Sequence, residues 1–403
     1  MKKMNISFSP PDITETEINN VVDVLKSGWI TTGPKTKFLE TKLAKFVGTN
    51  KFVTMNSATA CMEMTLRLLE IGPGDEVITS AYTYTASASV IDHVGATIVL
   101  VDTQKDSFEM DYDKLAEAIT DKTKAVIPVD LAGAMIDYNQ LYAALESKKE
   151  LYTPKENTLQ EKFERVVVIG DSAHALGASR DGLNAGQVAD FTSYSFHAVK
   201  NFTTAEGGAV TWKTIPNVDD EEIYQSFMRL ILHGQTKDAL SKTKAGAWEY
   251  DIVAPYFKAN MTDINAAIGL AQLERYPQLL KRRQEIIEKY NQGLKDIAVT
   301  PLCHYTENAK SSGHLYIMNV DGYDLEQRNN LIIQLAERGI SANVHYKPLP
   351  LLTAYMNLGF KMEDYPNAYN MYKNEVTLPL HTLLKDEEIE YVIDNVKNIL
   401  KNG

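Results

Sequence analysis

The stretch KFVTMNSATACMEMTLRLLEIGPGDEVITS, residues 51–80, changes its hydrophobic period twice. KFVTMN (51–56) is short and carries aromatic and β-branched residues, which predicts a strand. SATACMEMTLRLLEIG (57–72) sets Met62, Leu66 and Leu69 at helical spacing, so a helix follows. DEVITS (75–80) returns to a strand. A strand, a helix and a strand in immediate succession make a crossover unit, the connection that joins parallel strands.

The alternation extends outward from this unit. Downstream, TIVLVD (97–102), KAVIPVD (124–130), RVVVIGD (165–171), DFTSYSF (190–196) and GGAVTW (207–212) predict further strands, with helices after Tyr84 and over 111–120. Upstream, Thr14 and Glu17 read as a capping box ahead of an apolar stripe at Ile18, Val21, Val22 and Leu25. A second helix runs from Pro34 to Gly48. The expected class is α/β, a mostly parallel mixed sheet with helices on both faces. Residues 148–163 are charged and aperiodic and read as a surface insertion. Past residue 255 the pattern changes to a long helix from Thr262 to about Leu294, interrupted at Pro277. A strand (314–320), a helix (324–338), a strand (340–346) and a last helix (386–401) follow. The expected division is a large domain over 1–255 and a smaller C-terminal α+β domain over 256–403.

The chain has 403 residues, 44% of them hydrophobic, enough to bury a sizeable core. Its net charge of −12 argues against nucleic-acid or membrane-surface partners, which attract basic faces. Cys61 and Cys303 are too few and too far apart for a disulfide framework, which favours a reducing compartment. The N-terminal lysines precede no apolar stretch, and no run is long enough to span a membrane. A soluble cytoplasmic protein is expected. Histidine and cysteine spacings match no metal site, and neither G-x-G-x-x-G nor G-x-x-x-x-G-K-[ST] occurs.

Three groups fall where open α/β sheets bind ligands, beyond the carboxyl ends of the strands. Asn56, Ser57, Ala58 and Thr59 open a helix, whose free N–H groups attract anions; the same residues serve equally as a plain N-cap. Asp171 ends an apolar strand, where it suits a cationic ligand group or an ordinary turn, and His174 follows three residues on. Lys200 is the only formally charged residue between Phe191 and Ala205. A lysine in apolar surroundings loses its proton more easily and becomes a nucleophile, although a partly buried loop lysine can also snorkel. Together, a phosphate cradle, a carboxylate and a desolvated lysine are what pyridoxal phosphate needs. The lysine holds the aldehyde as an imine, the carboxylate keeps the pyridine nitrogen protonated, and the helix end anchors the phosphate.

The sequence resembles the DegT/StrS-type nucleotide-sugar aminotransferases, which are fold-type I pyridoxal-phosphate enzymes. The resemblance rests on GWITTGPK (28–35), NSAT (56–59), GDEVITSAYTYTAS (74–87), DSAHALGA (171–178), SFHAVKN (195–201), AEGGAV (205–210) and NMTDINAAIG (260–269). It implies that Lys200 bonds the cofactor and shuttles a proton, that Asp171 partners the ring nitrogen, and that His174 lies beside the ring and its phenolic oxygen. Tyr84 would stack on the ring face. Ser57, Ala58, Thr59 and Ser195 would cradle the phosphate. Asn260 would reach the cofactor phosphate of a neighbouring subunit, which requires a homodimer. Thr32, His345 and Tyr346 would face the substrate.

The implied activity is transfer of the amino group of L-glutamate, leaving 2-oxoglutarate, to a nucleotide-linked keto sugar. The nearest branch aminates C4 of UDP-linked 4-keto sugars. A dTDP-linked 3-keto sugar and a non-catalytic regulatory role are the alternatives. SAYTYTAS (80–87) departs from the family's usual proline-containing loop, and the 148–163 segment is longer than in compact members.

Overall fold

The computed structural model describes residues 3–237 and 249–402. Two helices, α1 (Glu15–Ser27) and α2 (Pro34–Val47), lead into β1 (Phe52–Met55). The alternation then runs α3 (Ala58–Leu68), β2 (Glu76–Ser80), α4 (Ala86–His93), β3 (Thr97–Val101), α5 (Tyr112–Ala118), β4 (Thr123–Ile127), α6 (Tyr138–Glu146) and β5 (Val167–Asp171). A short hairpin, β6 (Ser179–Arg180) and β7 (Leu183–Asn184), precedes β8 (Phe191–Ser195), β9 (Gly208–Trp212) and α7 (Asp220–Ile231).

The seven strands predicted between residues 51 and 212 all form and make one sheet in the order β1-β9-β8-β5-β4-β2-β3. The central neighbours pair in parallel, and β9 runs antiparallel to both β1 and β8. Both faces are buried, which explains the nearly continuous apolar runs. Val168 turns to the face covered by α2, α5, α6 and the long helix, while Val167 and Ile169 turn to the face covered by α3, α4 and α7.

The remaining elements are α8 (Asp263–Leu294), β10 (Val299–Pro301), β11 (Ala309–Lys310), β12 (Tyr316–Val320), α9 (Leu325–Glu337), α10 (Thr353–Asn357), α11 (Pro366–Lys373), β13 (Glu375–Leu378) and α12 (Asp386–Asn402). A second sheet runs β10-β12-β13. α8 serves both cores: Ala266 and Leu270 pack under the large sheet, and Ile286, Ile287 and Tyr290 pack under the small one.

Three expectations change. α8 continues through Pro277 without a break, held on both sides by buried Gln272, Tyr276, Leu279 and Arg283. Residues 340–346 form no strand; they make isolated bridges, Ile6 to Ile340 and Asn343 to Thr377. Backbone donors there go to side chains, Val344 N–H to Asn343 Oδ1 and His345 N–H to Glu375 Oε2, so the ladder cannot propagate. The third strand of the small sheet is β13 instead. On α1 the buried residues are Glu17 and Val24, while Ile18 and Leu25 are 48% and 53% exposed. Glu17 closes the capping box and takes hydrogen bonds from Gln272 and Arg275 of α8. The 148–163 segment, expected as a surface insertion, is pinned to the large sheet's helices. Gln160 is fully buried and donates to the Leu69 carbonyl, and the Tyr152 hydroxyl donates to the Gln160 carbonyl.

Candidate active site

The parallel strands end on one edge, and several of those ends deliver side chains to the cavity there. β5 ends at Asp171, and β1 leads through Asn56 and Ser57 into the N-terminus of α3. β8 ends at Ser195, from which a turn carries Lys200; the Lys200 N–H donates to the His197 carbonyl. Two buried rings, Phe196 and Phe202, meet edge to face at 4.7 Å and anchor the turn on either side of the lysine. Asn201 anchors it again by donating to the Ser312 carbonyl.

Ser57, Ala58, Thr59, Tyr84, Asp171, His174, Ser195, Lys200 and Tyr346 line one cavity of about 380 Å³. Nine of the residues singled out in the sequence are thus brought together. Thr32, Asn260 and His345 are not in its lining. Asn260 donates to Thr32 Oγ1, and Thr32 Oγ1 donates to the Met261 carbonyl. His345 lies behind Tyr346 and stacks on Phe8 at 5.5 Å.

Burial lowers the Lys200 ammonium from 10.5 to about 8, against the opposing pull of the Asp171 charge. Asp171 is itself buried, and desolvation raises its carboxyl. Ser87 Oγ donates to Asp171 Oδ2 at 2.7 Å and the Ala173 N–H donates to Oδ1 at 3.2 Å. The sequence reading missed Ser87. No spacing rule connects it to Asp171; they meet because α4 starts and β5 ends on the same sheet edge.

His174 is buried, and desolvation holds its pKa well below 6.5. The Ala132 N–H donates to Nδ1 at 3.1 Å, so the neutral ring carries its proton on Nε2, 3.2 Å from the Tyr346 hydroxyl. Ser57 caps α3, its Oγ accepting from the Ala60 N–H at 3.0 Å. The first N–H groups of that helix have no intrahelical partner and face an anion well. Gly208 makes this approach possible: a Cβ there would lie 2.4 Å from the Ala58 nitrogen. Tyr84 is 59% exposed, 5.6 Å from the Tyr346 ring.

These groups fit pyridoxal phosphate. The buried Asp171 carboxyl lacks a full counter-charge and suits a protonated ring nitrogen, and Lys200 has a nucleophile's lowered pKa. The α3 N-terminus suits the phosphate. Among the described residues no cluster could hold a metal ion, and no helix is long and apolar enough to cross a membrane.

The chain is similar to solved proteins along nearly its whole length. Spr1654 of Streptococcus pneumoniae, to which sugar aminotransferase activity is ascribed, is 59% identical in its PMP form; 99% of this chain and 100% of that one superpose with a TM-score of 0.96. Its PLP form superposes equally well, at 58% identity over 99% of each chain. The spore coat polysaccharide biosynthesis protein SpsC of Bacillus subtilis is 35% identical over 99% of this chain and 98% of its own. PseC of Helicobacter pylori, an aminotransferase involved in the biosynthesis of pseudoaminic acid, is 27% identical over 99% and 100%, with a TM-score of 0.86. Residues 11–397 match a family whose members use the cofactor that this cavity fits, and the chain is a pyridoxal-phosphate enzyme belonging to the DegT/DnrJ/EryC1/StrS aminotransferase family.

Proposed function

We propose that the protein transfers the amino group of L-glutamate to a nucleotide-linked keto sugar, at C4 of a UDP-linked 4-keto sugar, for the synthesis of cell-surface polysaccharide or glycan precursors. The observation that carries the reading is the convergence of Lys200, Asp171, His174 and the α3 N-terminus on one cavity. The sugar class is supported by the likeness to Spr1654, SpsC and PseC.

Bound pyridoxal phosphate supplies an electron-withdrawing ring that stabilises negative charge on the substrate carbon. This chain's residues do the rest. Lys200 Nζ, with its lowered pKa, would hold the cofactor and serve as the acid–base group at the substrate carbon. Asp171, steadied by Ser87 and the Ala173 amide, would keep the ring nitrogen protonated. His174 would offer its Nε2 proton to the cofactor's phenolic oxygen, and Tyr84 would cover its ring. Ala58, Thr59, Ser57 and Ser195 would hold the phosphate, and Tyr346 would face the sugar side, with Thr32 and His345 outside the lining of the cavity.

The enzyme acts as a homodimer in which Asn260 completes the neighbouring subunit's phosphate site. In support, Ile13, Ile18, Leu25, Ile30 and Phe38 are large apolar side chains left half exposed on α1, α2 and their flanking turns. We assign the large domain to 1–255, the small one to 256–403, and the enzyme to the cytoplasm, where Cys61 and Cys303 stay reduced.

The test is spectroscopic. L-glutamate should convert the visible absorbance of the purified holoenzyme to that of the amine form, and a panel of nucleotide-linked keto sugars should reverse it. Borohydride reduction before glutamate should mark Lys200 alone in a peptide map. A label on another lysine removes the assignment, and a protein inert to glutamate and to every keto sugar supports a regulatory role instead.

A further inference from the structure

The junction between His345 and Tyr346 is held from three sides by groups outside the cavity. The His345 N–H donates to Glu375 Oε2 at 3.0 Å, and the Tyr82 hydroxyl donates to the His345 carbonyl at 3.1 Å. His345 Nδ1 lies 3.0 Å from Thr377 Oγ1, which lies 2.5 Å from Glu375 Oε1. Glu375 is fully buried on β13, and buried Arg328 donates to its backbone carbonyl at 2.9 Å.

An ionised carboxylate only accepts hydrogen bonds. With Glu375 ionised, above its raised pKa of about 7, the Thr377 proton therefore goes to Glu375, and Thr377 Oγ1 remains an acceptor for a proton on His345 Nδ1. That leaves His345 Nε2 with its lone pair. Burial, reinforced by the Lys200 ammonium, holds the pKa of His345 at about 3, so the ring is neutral under working conditions and its tautomer is what matters. The next residue sets its hydroxyl 3.2 Å from His174 Nε2, inside the cavity. The chain of contacts thus runs from the small sheet to the ring pocket.

The geometry points to Glu375 as a positioning residue for this site: through Thr377 and the His345 amide it sets the His345 tautomer and seats Tyr346 against His174. The consequence for turnover rests on the reading of the cavity as the reaction site; the tautomer does not.

Glu375→Gln separates the two. The glutamine oxygen accepts the His345 N–H, which turns its NH₂ toward Thr377. The Thr377 hydroxyl must then accept from that NH₂ and donate to His345 Nδ1. The His345 proton moves to Nε2. Burial raises Glu375 to about 7, so the comparison belongs at alkaline pH, where the carboxylate is ionised. Protein labelled with ¹⁵N-histidine, with His345 assigned by His345→Asn, reports the tautomer from its ring nitrogen shifts. Wild type and Thr377→Ser should carry the proton on Nδ1, and Glu375→Gln on Nε2.

The rate of the holoenzyme's spectral change with L-glutamate should fall about tenfold or more in Glu375→Gln and Thr377→Val and be retained in Thr377→Ser. An unchanged tautomer in Glu375→Gln overturns the inference. So does an inverted tautomer with an unchanged rate, or a Thr377→Ser variant that behaves like Thr377→Val. If Glu375→Gln does not fold, the two Thr377 variants decide. A wild type inert to glutamate sinks the donor assignment and leaves the tautomer comparison to decide this inference.

Discussion

Replacing Lys200 by methionine in the cofactor-free protein should stabilise it. Burial lowers the lysine from 10.5 to about 8. That difference, at about 1.36 kcal/mol per pH unit, is about 3 kcal/mol of strain borne by the folded state. The sign follows from proton linkage. Below about pH 8 folded and unfolded chains both carry the ammonium, and the folded one bears the whole penalty. Between about 8 and 10.5 the unfolded chain binds more protons, so wild-type stability rises with pH. Above 10.5 both forms are neutral and the penalty is gone. Methionine fills nearly the same volume without a charge. Lys200→Met should therefore exceed wild type by about 3 kcal/mol at neutral pH, and the gain should fade as pH approaches that of free lysine. Urea unfolding of both apoproteins at one fixed protein concentration measures it, since dimerisation would otherwise enter the comparison. Equal stabilities at neutral pH, or a gain that grows with pH, would refute the desolvation argument.

Three other perturbations probe the rest of the site. Asp171→Asn should slow the reaction with L-glutamate by about 10² or more, the cost of removing one partner of a buried charge pair, while cofactor affinity drops far less because the phosphate donors remain; near-normal single-turnover rates would remove Asp171 as the ring partner. Gly208→Ala sets a methyl 2.4 Å from the Ala58 nitrogen, so α3 must shift and pyridoxal-phosphate affinity should fall about tenfold, an effect that equilibrium titration of the apoprotein would miss only if the cradle lay elsewhere. Mixing inactive Lys200→Ala and Asn260→Asp subunits should return about a quarter of wild-type activity, since about half of the dimers are then mixed and each holds one intact site; no recovery despite subunit exchange would mean that Asn260 does not serve its neighbour.

The large sheet was legible because its strands are buried on both faces, so each is a short apolar run cut by turns. The small sheet was less so. Glu375, Val376, Thr377 and Leu378 form β13 although two of the four side chains are polar; both meet His345, 30 residues or more away in sequence. The run 340–346 has strand composition yet spends its amides on Asn343 and Glu375 side chains. On α1 a stripe of four apolar residues pointed to the wrong face, because the inward polar position, Glu17, is satisfied by Arg275 and Gln272 from a helix some 250 residues away. In each case a deciding group is a polar side chain, and in all but the Asn343 contact its partner lies far along the chain.

Lys200 combines both kinds of information. Its isolation between Phe191 and Ala205 is visible in the sequence, and Phe196 and Phe202 explain the local part by anchoring the turn. Isolation alone does not lower a pKa, since a lysine on an exposed turn stays hydrated whatever its neighbours in sequence. The lowering comes from burial among residues delivered by other elements: Asp171 from β5, the α3 N-terminus, and Tyr346 from the small-sheet side. Asp171 pulls the other way, so the value of about 8 is a balance between desolvation and one buried carboxylate. That carboxylate is in turn steadied by Ser87, which the strand order alone brings to it. The reactivity of the lysine is therefore a property of the sheet edge, and its neighbours from Phe191 to Ala205 account only for the absence of competing charge.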